Sequence, residues 1–217
     1  ELRKKLPELK KIEGFPIGED EDIIALSDPP YYTACPNPWI NDFIDEWEKE
    51  KVQIYDRNLT EEYKKEPFTS DVSEGKRDPI YNVHTYHTKV PHKAIMRYLF
   101  HYTDPGDIIL DGFSGSGMVG VAASLCNDSE QVKSLGYIVN DEKEVFDEDK
   151  RFIGKLGSRN SILNDLSPIG TFLSKNLNSP IDTKKFLEEA EFILNETYNE
   201  LGWTFTTTHY NGKEPVE

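Results

Sequence analysis

The sequence predicts an α/β fold in which helices lie on both faces of a sheet. Short apolar runs of strand length alternate with longer stretches whose apolar residues recur every three or four positions, as on one face of a helix. A glycine-rich segment, 112–117, stands between one such strand and a helix, where α/β proteins turn sharply. With 217 residues, 36% of them apolar, the chain is long enough for one core, so we expect a single domain over 1–217.

The first third of the chain is predicted to contain one strand, one helix and an irregular stretch. Residues 22–27 form a short apolar run that stops at Pro29, which predicts a buried strand followed by a rigid loop. Residues 39–50 have apolar side chains at three- and four-residue spacing and predict a helix. Residues 51–82 are polar and contain two prolines, so we expect a polar excursion with little regular structure.

Two more strands and four helices are predicted after residue 90. The strands are 107–111 and 161–164, both short apolar runs that end at polar turns. The predicted helices are 91–102, 118–126, 169–177 and 183–201. Residues 127–157 are polar and acidic around one apolar patch, which predicts an insertion outside the core.

The formal net charge of -15 bears on the kind of partner. Affinity for nucleic acid rests largely on Lys and Arg, so this segment alone is not expected to make extensive phosphate contacts. If the protein acts on DNA, its basic surface comes from sequence elsewhere. No apolar stretch reaches the roughly 20 residues that span a bilayer, and the charged first residues lack a secretory apolar core. We therefore expect a cytoplasmic protein with no membrane contact.

The first candidate site is Asp111 with the glycine segment that follows it. Glycines between a strand and a helix let the backbone turn tightly and approach a ligand closely, and the helix start offers free N–H groups. Taken alone, this pattern fits a nucleotide-like ligand and a plain turn equally. In such folds the next strand ends with an acidic residue that binds a ribose, and Asp165 stands there. A helix N-cap is the alternative role for Asp165.

The second candidate site is Asp28-Pro29-Pro30-Tyr31. An exocyclic amino nitrogen of a base is a poor nucleophile because its lone pair is delocalised into the ring. Two acceptors placed against its N–H bonds make the nitrogen more tetrahedral, and the Asp28 carboxylate with the Pro29 carbonyl can provide them. Pro29 and Pro30 fix the loop, and Tyr31 or Tyr32 can stack on an extruded base. The alternative is a plain Pro-Pro turn.

Three histidines, His84, His87 and His92, lie close together in the sequence. Neither Asp nor Glu accompanies them at a helical ligand spacing, so no metal site is predicted. A loop that enters a helix and lines a cofactor pocket is the better interpretation.

Together these motifs resemble the DNA amino-methyltransferases of the adenine-N6 and cytosine-N4 family. The Asp-Pro-Pro-Tyr signature matches Asp28 to Tyr31, and the cofactor motif matches Asp111 to Gly117. The Lys-Pro motif ahead of the cofactor strand matches Thr88 to Pro91, and the motif order resembles the permuted β type. The resemblance implies a Rossmann-like methyltransferase fold, S-adenosylmethionine as cofactor and DNA with a flipped-out target base as partner. The cofactor contacts that it implies are Thr88, Lys89, Asp111, Gly112, Phe113, Ser114, Gly115, Gly117, Asp165 on the ribose, and Leu166.

The resemblance also bears on the reaction and on completeness. Members with Asp at the head of the Pro-Pro motif mostly methylate adenine, so N6 is preferred over N4. The complete fold has a seven-stranded sheet, whereas three strands are predicted here. We therefore expect an incomplete sheet and the N-terminal portion of a longer protein, in which Asp28 is either the working motif or a structural copy.

Two other functions remain open at this point. The chain could be a noncatalytic methyltransferase-like module that binds cofactor or partner strands within a larger restriction or defence protein. Alternatively, the same chemistry could act on RNA or on a protein amide, because a pair of acceptors suits any planar amino group. Asp28 within reach of the methyl-donor site favours an enzyme, and a remote or covered Asp28 favours the module.

Overall fold

The computed structural model describes residues 1–60, 62–206, 209–211 and 214–216, the last two ranges as backbone only. The chain divides into two compact units, Glu1–Asn178 and Ser179–Glu217. Within the described ranges, none of the helices combines the length and apolar character needed to cross a membrane.

The chain begins with two packed helices, α1 (Leu2–Leu9) and α2 (Asp20–Ala25). The prediction of a strand at 22–27 was therefore wrong. Three carboxylates fill the first turn of α2, where they interact favourably with the positive end of the helix. Ile23 is buried with Leu6 and its neighbours in a small apolar cluster, so packing against α1 fixes the helical form.

Helix α3 (Ile40–Gln53) confirms the helix predicted at 39–50 and extends three residues further. In the polar stretch that follows, the described residues form one short helix, α4 (Pro79–Asn82). Polar contacts hold this stretch to helix α5 (His92–Tyr102). The Tyr98 hydroxyl accepts a hydrogen bond from Ser70 N at 3.1 Å, and Tyr102 accepts one from Phe68 N at 2.8 Å.

A strand–turn–helix unit and a second strand carry the candidate cofactor site. Strand β1 (Ile108–Asp111) leads through the glycine segment into α6 (Met118–Leu125). Strand β5 (Asn160–Leu163) pairs in parallel with β1, with Asp111 opposite Leu163, and leads to α8 (Pro168–Asn178). The strands and helices predicted in this region are confirmed, as is the mixed α/β class. Of the predicted sheet, the described residues contain two parallel strands, β1 and β5.

Residues 127–157 lie between these two strands in sequence and contribute to the core. They form α7 (Ser129–Lys133) and an antiparallel sheet of β2 (Ile138–Val139), β3 (Glu144–Phe146) and β4 (Phe152–Lys155). The prediction that this segment stays outside the core was wrong. Its buried side chains join those of α5 and α6 in one cluster, which contains Met96, Leu99, Phe100, Ala122, Ala123, Cys126, Val132, Leu135, Tyr137 and Val145.

The second unit contains the long helix α9 (Thr183–Leu201), which confirms the helix predicted at 183–201. The Asp182 carboxylate caps it by accepting hydrogen bonds from the N–H groups of Lys184 and Lys185. A 3₁₀ turn, Gly202–Thr204, follows, and strands β6 (His209–Asn211) and β7 (Glu214–Val216) form an antiparallel pair.

Candidate functional site

The glycine loop, residues 112–117, turns the chain from β1 into α6. Gly115 and Gly117 have φ angles of 53° and 82°, in the left-handed region that favours glycine. A Cβ atom on Gly117 would lie 2.4 Å from Ser174 Oγ, and one on Gly115 would lie 2.9 Å from Tyr86 Cε1. These two glycines are therefore required by backbone conformation and packing.

Asp165, which follows β5, holds this loop from the neighbouring strand. Its Oδ2 accepts a hydrogen bond from Gly115 N at 2.7 Å, and its Oδ1 accepts one from Ser167 N at 2.8 Å. Ser114 N donates to the Asn164 carbonyl at 2.9 Å, which adds a main-chain contact. The parallel pairing thus brings Asp165 to the glycine loop, as its position after the next core strand predicted.

The other side of the glycine loop is open. A Cβ atom on Gly112 would have no atom of the described residues within 4 Å, so packing against them does not require glycine there. Phe113 and Leu166 are 89% and 93% exposed at the carboxyl ends of the two strands, where ligands bind in α/β sheets. Within the described ranges, Ser114 Oγ is buried without a hydrogen-bond partner. Open space, apolar surface and an unused hydroxyl together fit a nucleoside cofactor.

The Asp-Pro-Pro-Tyr loop, Asp28–Tyr31, is a tight turn closed by its own backbone. Asp28 N donates to the Tyr32 carbonyl at 2.9 Å, and Tyr32 N donates to the Asp28 carbonyl at 3.2 Å. The Pro29–Pro30 peptide bond is cis. Asn37 Nδ2 donates to the Pro30 carbonyl at 2.9 Å and ties the loop to the start of α3. The Asp28 side chain is 68% exposed, so it is accessible to a substrate.

Helix α8 contacts both motifs. On one side, Lys175 Nζ lies 2.7 Å from Asp28 Oδ2, and the Tyr32 hydroxyl donates to Thr171 Oγ1 at 3.3 Å. On the other side, the Asn178 amide donates to the Gly117 carbonyl at 3.0 Å. A Cβ atom on Gly170 would lie 3.0 Å from the Gly115 carbonyl oxygen. One helix therefore brings together two motifs that are far apart in sequence.

The Lys-Pro motif is placed differently from the other predicted cofactor residues. Lys89 Nζ donates to the carbonyl oxygens of Tyr81 and His84 and lies 4.5 Å from the centre of the Tyr81 ring. Burial lowers the pKa of Lys89 below its ordinary value. Thr88 is exposed. Lys89 thus stabilises its own loop, whereas Tyr86 of the same segment packs against the glycine loop.

Several residues of the site were not predicted from the sequence. Tyr86 packs against the glycine loop. It belongs to the segment with three histidines, which was expected to line a cofactor pocket. The other residues belong to α8, where Gly170, Ser174 and Asn178 recur every four positions, the spacing of one helix face. That spacing of small residues is a signal for a close helix contact, whereas the sequence carries no signal that pairs Lys175 with Asp28.

The histidines of the same segment do not form a cluster. In the part of the chain that the structure describes, no group of three or more His, Cys, Asp or Glu side chains is placed to hold a metal ion. His92 is fully buried, and its Nε2 lies 3.8 Å from Asp78 Oδ1. Burial is the main reason that the pKa of His92 lies below its ordinary value.

Comparison with known proteins identifies the family. Residues 6–157 match the family model described as DNA methylase, of the N6/N4 type, and this range contains both the Asp-Pro-Pro-Tyr loop and the glycine loop. Comparisons with curated proteins and with solved structures returned no match. Because the family match covers more than half of its residues, this chain belongs to the N6/N4 DNA methylase family, whose members use S-adenosylmethionine.

Proposed function

We propose that this protein transfers a methyl group from S-adenosylmethionine to an exocyclic amino group of a DNA base, with adenine N6 as the preferred target. The observation that carries the proposal is the shared contact of helix α8 with the Asp-Pro-Pro-Tyr loop and the glycine loop. A methyltransferase must hold the amino group and the methyl donor side by side, and α8 links the loops suited to each. The parallel pair β1–β5 then forms part of a Rossmann-like sheet.

The glycine loop and the ends of β1 and β5 form the proposed cofactor site. Asp111 and Asp165 place carboxylates at these strand ends, and Asp165 has acceptor capacity left beyond its two backbone hydrogen bonds. Phe113 and Leu166 supply exposed apolar surface for a nucleoside, and Gly112 supplies room. When bound, the cofactor provides an electrophilic methyl group. The chain's own residues hold the cofactor at these strand ends.

The Asp-Pro-Pro-Tyr loop forms the proposed site for the base. The Asp28 carboxylate and the Pro29 carbonyl accept hydrogen bonds from the two N–H groups of the target, which directs the nitrogen lone pair away from the ring. The negative charge of Asp28 also stabilises the positive charge that develops on that nitrogen during transfer, and the nitrogen becomes neutral again when it releases one of its two protons to solvent. Lys175 occupies one oxygen of Asp28 and leaves capacity for a further hydrogen bond.

The preference for adenine rests on the Asp that heads the Pro-Pro motif. DNA is the proposed partner, and with a net charge of -15 the chain needs phosphate contacts from basic sequence outside these residues. A noncatalytic module is disfavoured because Asp28 is 68% exposed, whereas a structural copy of the motif would bury it or use both oxygens. We place the protein in the cytoplasm with its substrate.

The proposal is tested by measuring cofactor binding and methyl transfer separately. Calorimetry with S-adenosylmethionine should show binding by the wild type and by Asp28→Ala, and loss of binding by Asp111→Ala. Methyl transfer is then measured with labelled S-adenosylmethionine and unmethylated DNA, and the modified base is identified by mass spectrometry. The wild type should yield N6-methyladenine, and neither variant should. N4-methylcytosine would correct the target, and equal transfer by Asp28→Ala would refute the role of this loop.

A further inference from the structure

The exposed Tyr31 ring is the outermost of three stacked aromatic rings. Its ring centroid lies 5.4 Å from that of Phe43, with 19° between the ring planes. Phe43 in turn lies 5.9 Å from Trp47, with 22° between the planes. Phe43 and Trp47 are one turn apart on α3, so the helix itself sets their spacing. We refer to Tyr31, Phe43 and Trp47 as the aromatic ladder.

The ladder leaves a surface for a further planar group at one end. Tyr31 is 82% exposed although one of its faces rests on Phe43, so the face away from α3 is open. The backbone beside Tyr31 is also fixed, because Asn37 donates to the Pro30 carbonyl and accepts a hydrogen bond from Trp39 N in the turn before α3. Both the ring and its main chain are thus held before any ligand arrives.

The charge of α3 limits what can stack there. Carboxylates outnumber lysines on this helix, which carries Asp42, Asp45, Glu46, Glu48, Lys49, Glu50 and Lys51. A phosphodiester strand that ran along the helix would be repelled, because tracking the backbone of a nucleic acid requires a positive groove. A single uncharged heterocycle, extruded from its strand, avoids this repulsion and gains stacking with the tyrosine.

We infer that Phe43 and Trp47 are positioning residues that support Tyr31 from behind and present its open face to the target base. This inference rests on the proposed function for the identity of the base, and it adds two residues outside the Asp-Pro-Pro-Tyr loop. Without Phe43 the Tyr31 side chain gains rotamer freedom, which binding of the base must then remove. Trp47 acts through Phe43, so its removal has the smaller effect.

The test compares two single-stranded oligonucleotides of equal length, one with a central adenine and one with an abasic site at that position. Phosphate contacts are common to both, so the ratio of their affinities isolates the contribution of the base. The wild type should favour the adenine oligonucleotide. Phe43→Leu should reduce that ratio by about three- to tenfold, the range expected for one aromatic pair. Phe43→Tyr should retain the wild-type ratio. The ratio for Trp47→Leu should lie between those of the wild type and Phe43→Leu.

Phe152→Leu is the matched control, because it removes another ring that packs against an aromatic neighbour, Phe146, on the antiparallel sheet. Its affinity ratio should equal that of the wild type. An unchanged ratio in Phe43→Leu, or no preference for adenine in the wild type, would overturn the inference. Methyl transfer is assayed in parallel, so an intact ratio with no transfer by the wild type would refute the proposed function and leave the ladder standing.

Discussion

Lys175 Nζ on helix α8 lies 2.7 Å from Oδ2 of Asp28 in the Asp-Pro-Pro-Tyr loop. The Asp28 side chain is 68% exposed, and exposed ion pairs contribute about 0–1 kcal/mol to stability. The contact therefore matters more for where the carboxylate points than for how stable the fold is. It also ties the proposed base site to the helix that packs on the glycine loop.

Replacing Lys175 should impair transfer while leaving the fold intact. In Lys175→Met we expect kcat/KM to fall on the order of tenfold to 100-fold, because misplacing a group that contacts the reacting atoms by about 1 Å is costly. Lys175→Arg should restore much of the loss. Lys133→Met, which removes an exposed lysine paired with Glu130, is the control and should transfer normally. A loss of the same size in Lys133→Met would rule out a specific role for Lys175.

Gly112 and Gly117 of the glycine loop should differ in what their replacement by alanine changes: stability for Gly117 and cofactor affinity for Gly112. Gly117→Ala should lower the free energy of unfolding by about 1–3 kcal/mol, since it strains a left-handed residue and places a Cβ against Ser174. Gly112→Ala should melt like the wild type, because its Cβ meets open space. We expect its S-adenosylmethionine affinity to fall about tenfold through overpacking. Unchanged affinity in calorimetry would remove Gly112 from the cofactor site.

Core membership of residues 127–157 can be tested at Val145, which is fully buried on β3. Val145→Ala should lower the free energy of unfolding by about 2 kcal/mol, because it removes two methyl groups and leaves a cavity. Ile138 on the adjacent strand is 49% exposed, and Ile138→Val should change stability by less than about 0.5 kcal/mol. Equal unfolding midpoints in urea for the two variants would show that the segment folds apart from the core.

His92 should make the folded state sensitive to mild acid. Burial lowers the pKa of its imidazole below the ordinary value of 6.5. As the pH falls below about 6.5, the unfolded chain takes up a proton that the folded chain resists, so stability present at neutral pH is progressively lost. Burial lowers the pKa of His84 as well, so part of this loss is shared.

The check is a series of melting temperatures between about pH 7 and pH 5. The melting temperature of His92→Leu should decrease less over this range than that of the wild type, because the leucine side chain at this position does not titrate. His87→Leu, which alters an exposed histidine, should follow the wild type. Parallel curves for wild type and His92→Leu would show that His92 is not responsible.

The parts of the fold that could be predicted from the sequence are those that short-range patterns determine. The apolar run before Asp111 and the glycines after it specify a strand, a turn and a helix locally, and Asp165 followed from the rule that the next core strand ends beside this turn. The pairing of Asp28 with Lys175 was not predictable, because neither residue has a neighbour in sequence that indicates the other. Contacts of this kind depend on the completed packing of α8.

The two errors in the predicted fold have different causes. A run of four apolar residues at Ile23 has too few positions to distinguish a period of 2 from one of 3.6, and packing against α1 decided for a helix. Residues 127–157 are polar on average, but short strands bury only some of their residues. Val132, Leu135, Tyr137 and Val145 are buried in the core, although the composition of the segment concealed this.

The hydrogen bond between Tyr32 and Thr171 has a consequence for biosynthesis. It joins residues separated by 139 positions, so the Asp-Pro-Pro-Tyr loop leaves the ribosome long before its anchor on α8 exists. At a synthesis rate of about 5–20 residues per second, the delay is roughly 7–28 s. During that interval the loop is secured by its own backbone and by Asn37 before α3, and α8 does not yet join the proposed base site to the proposed cofactor site.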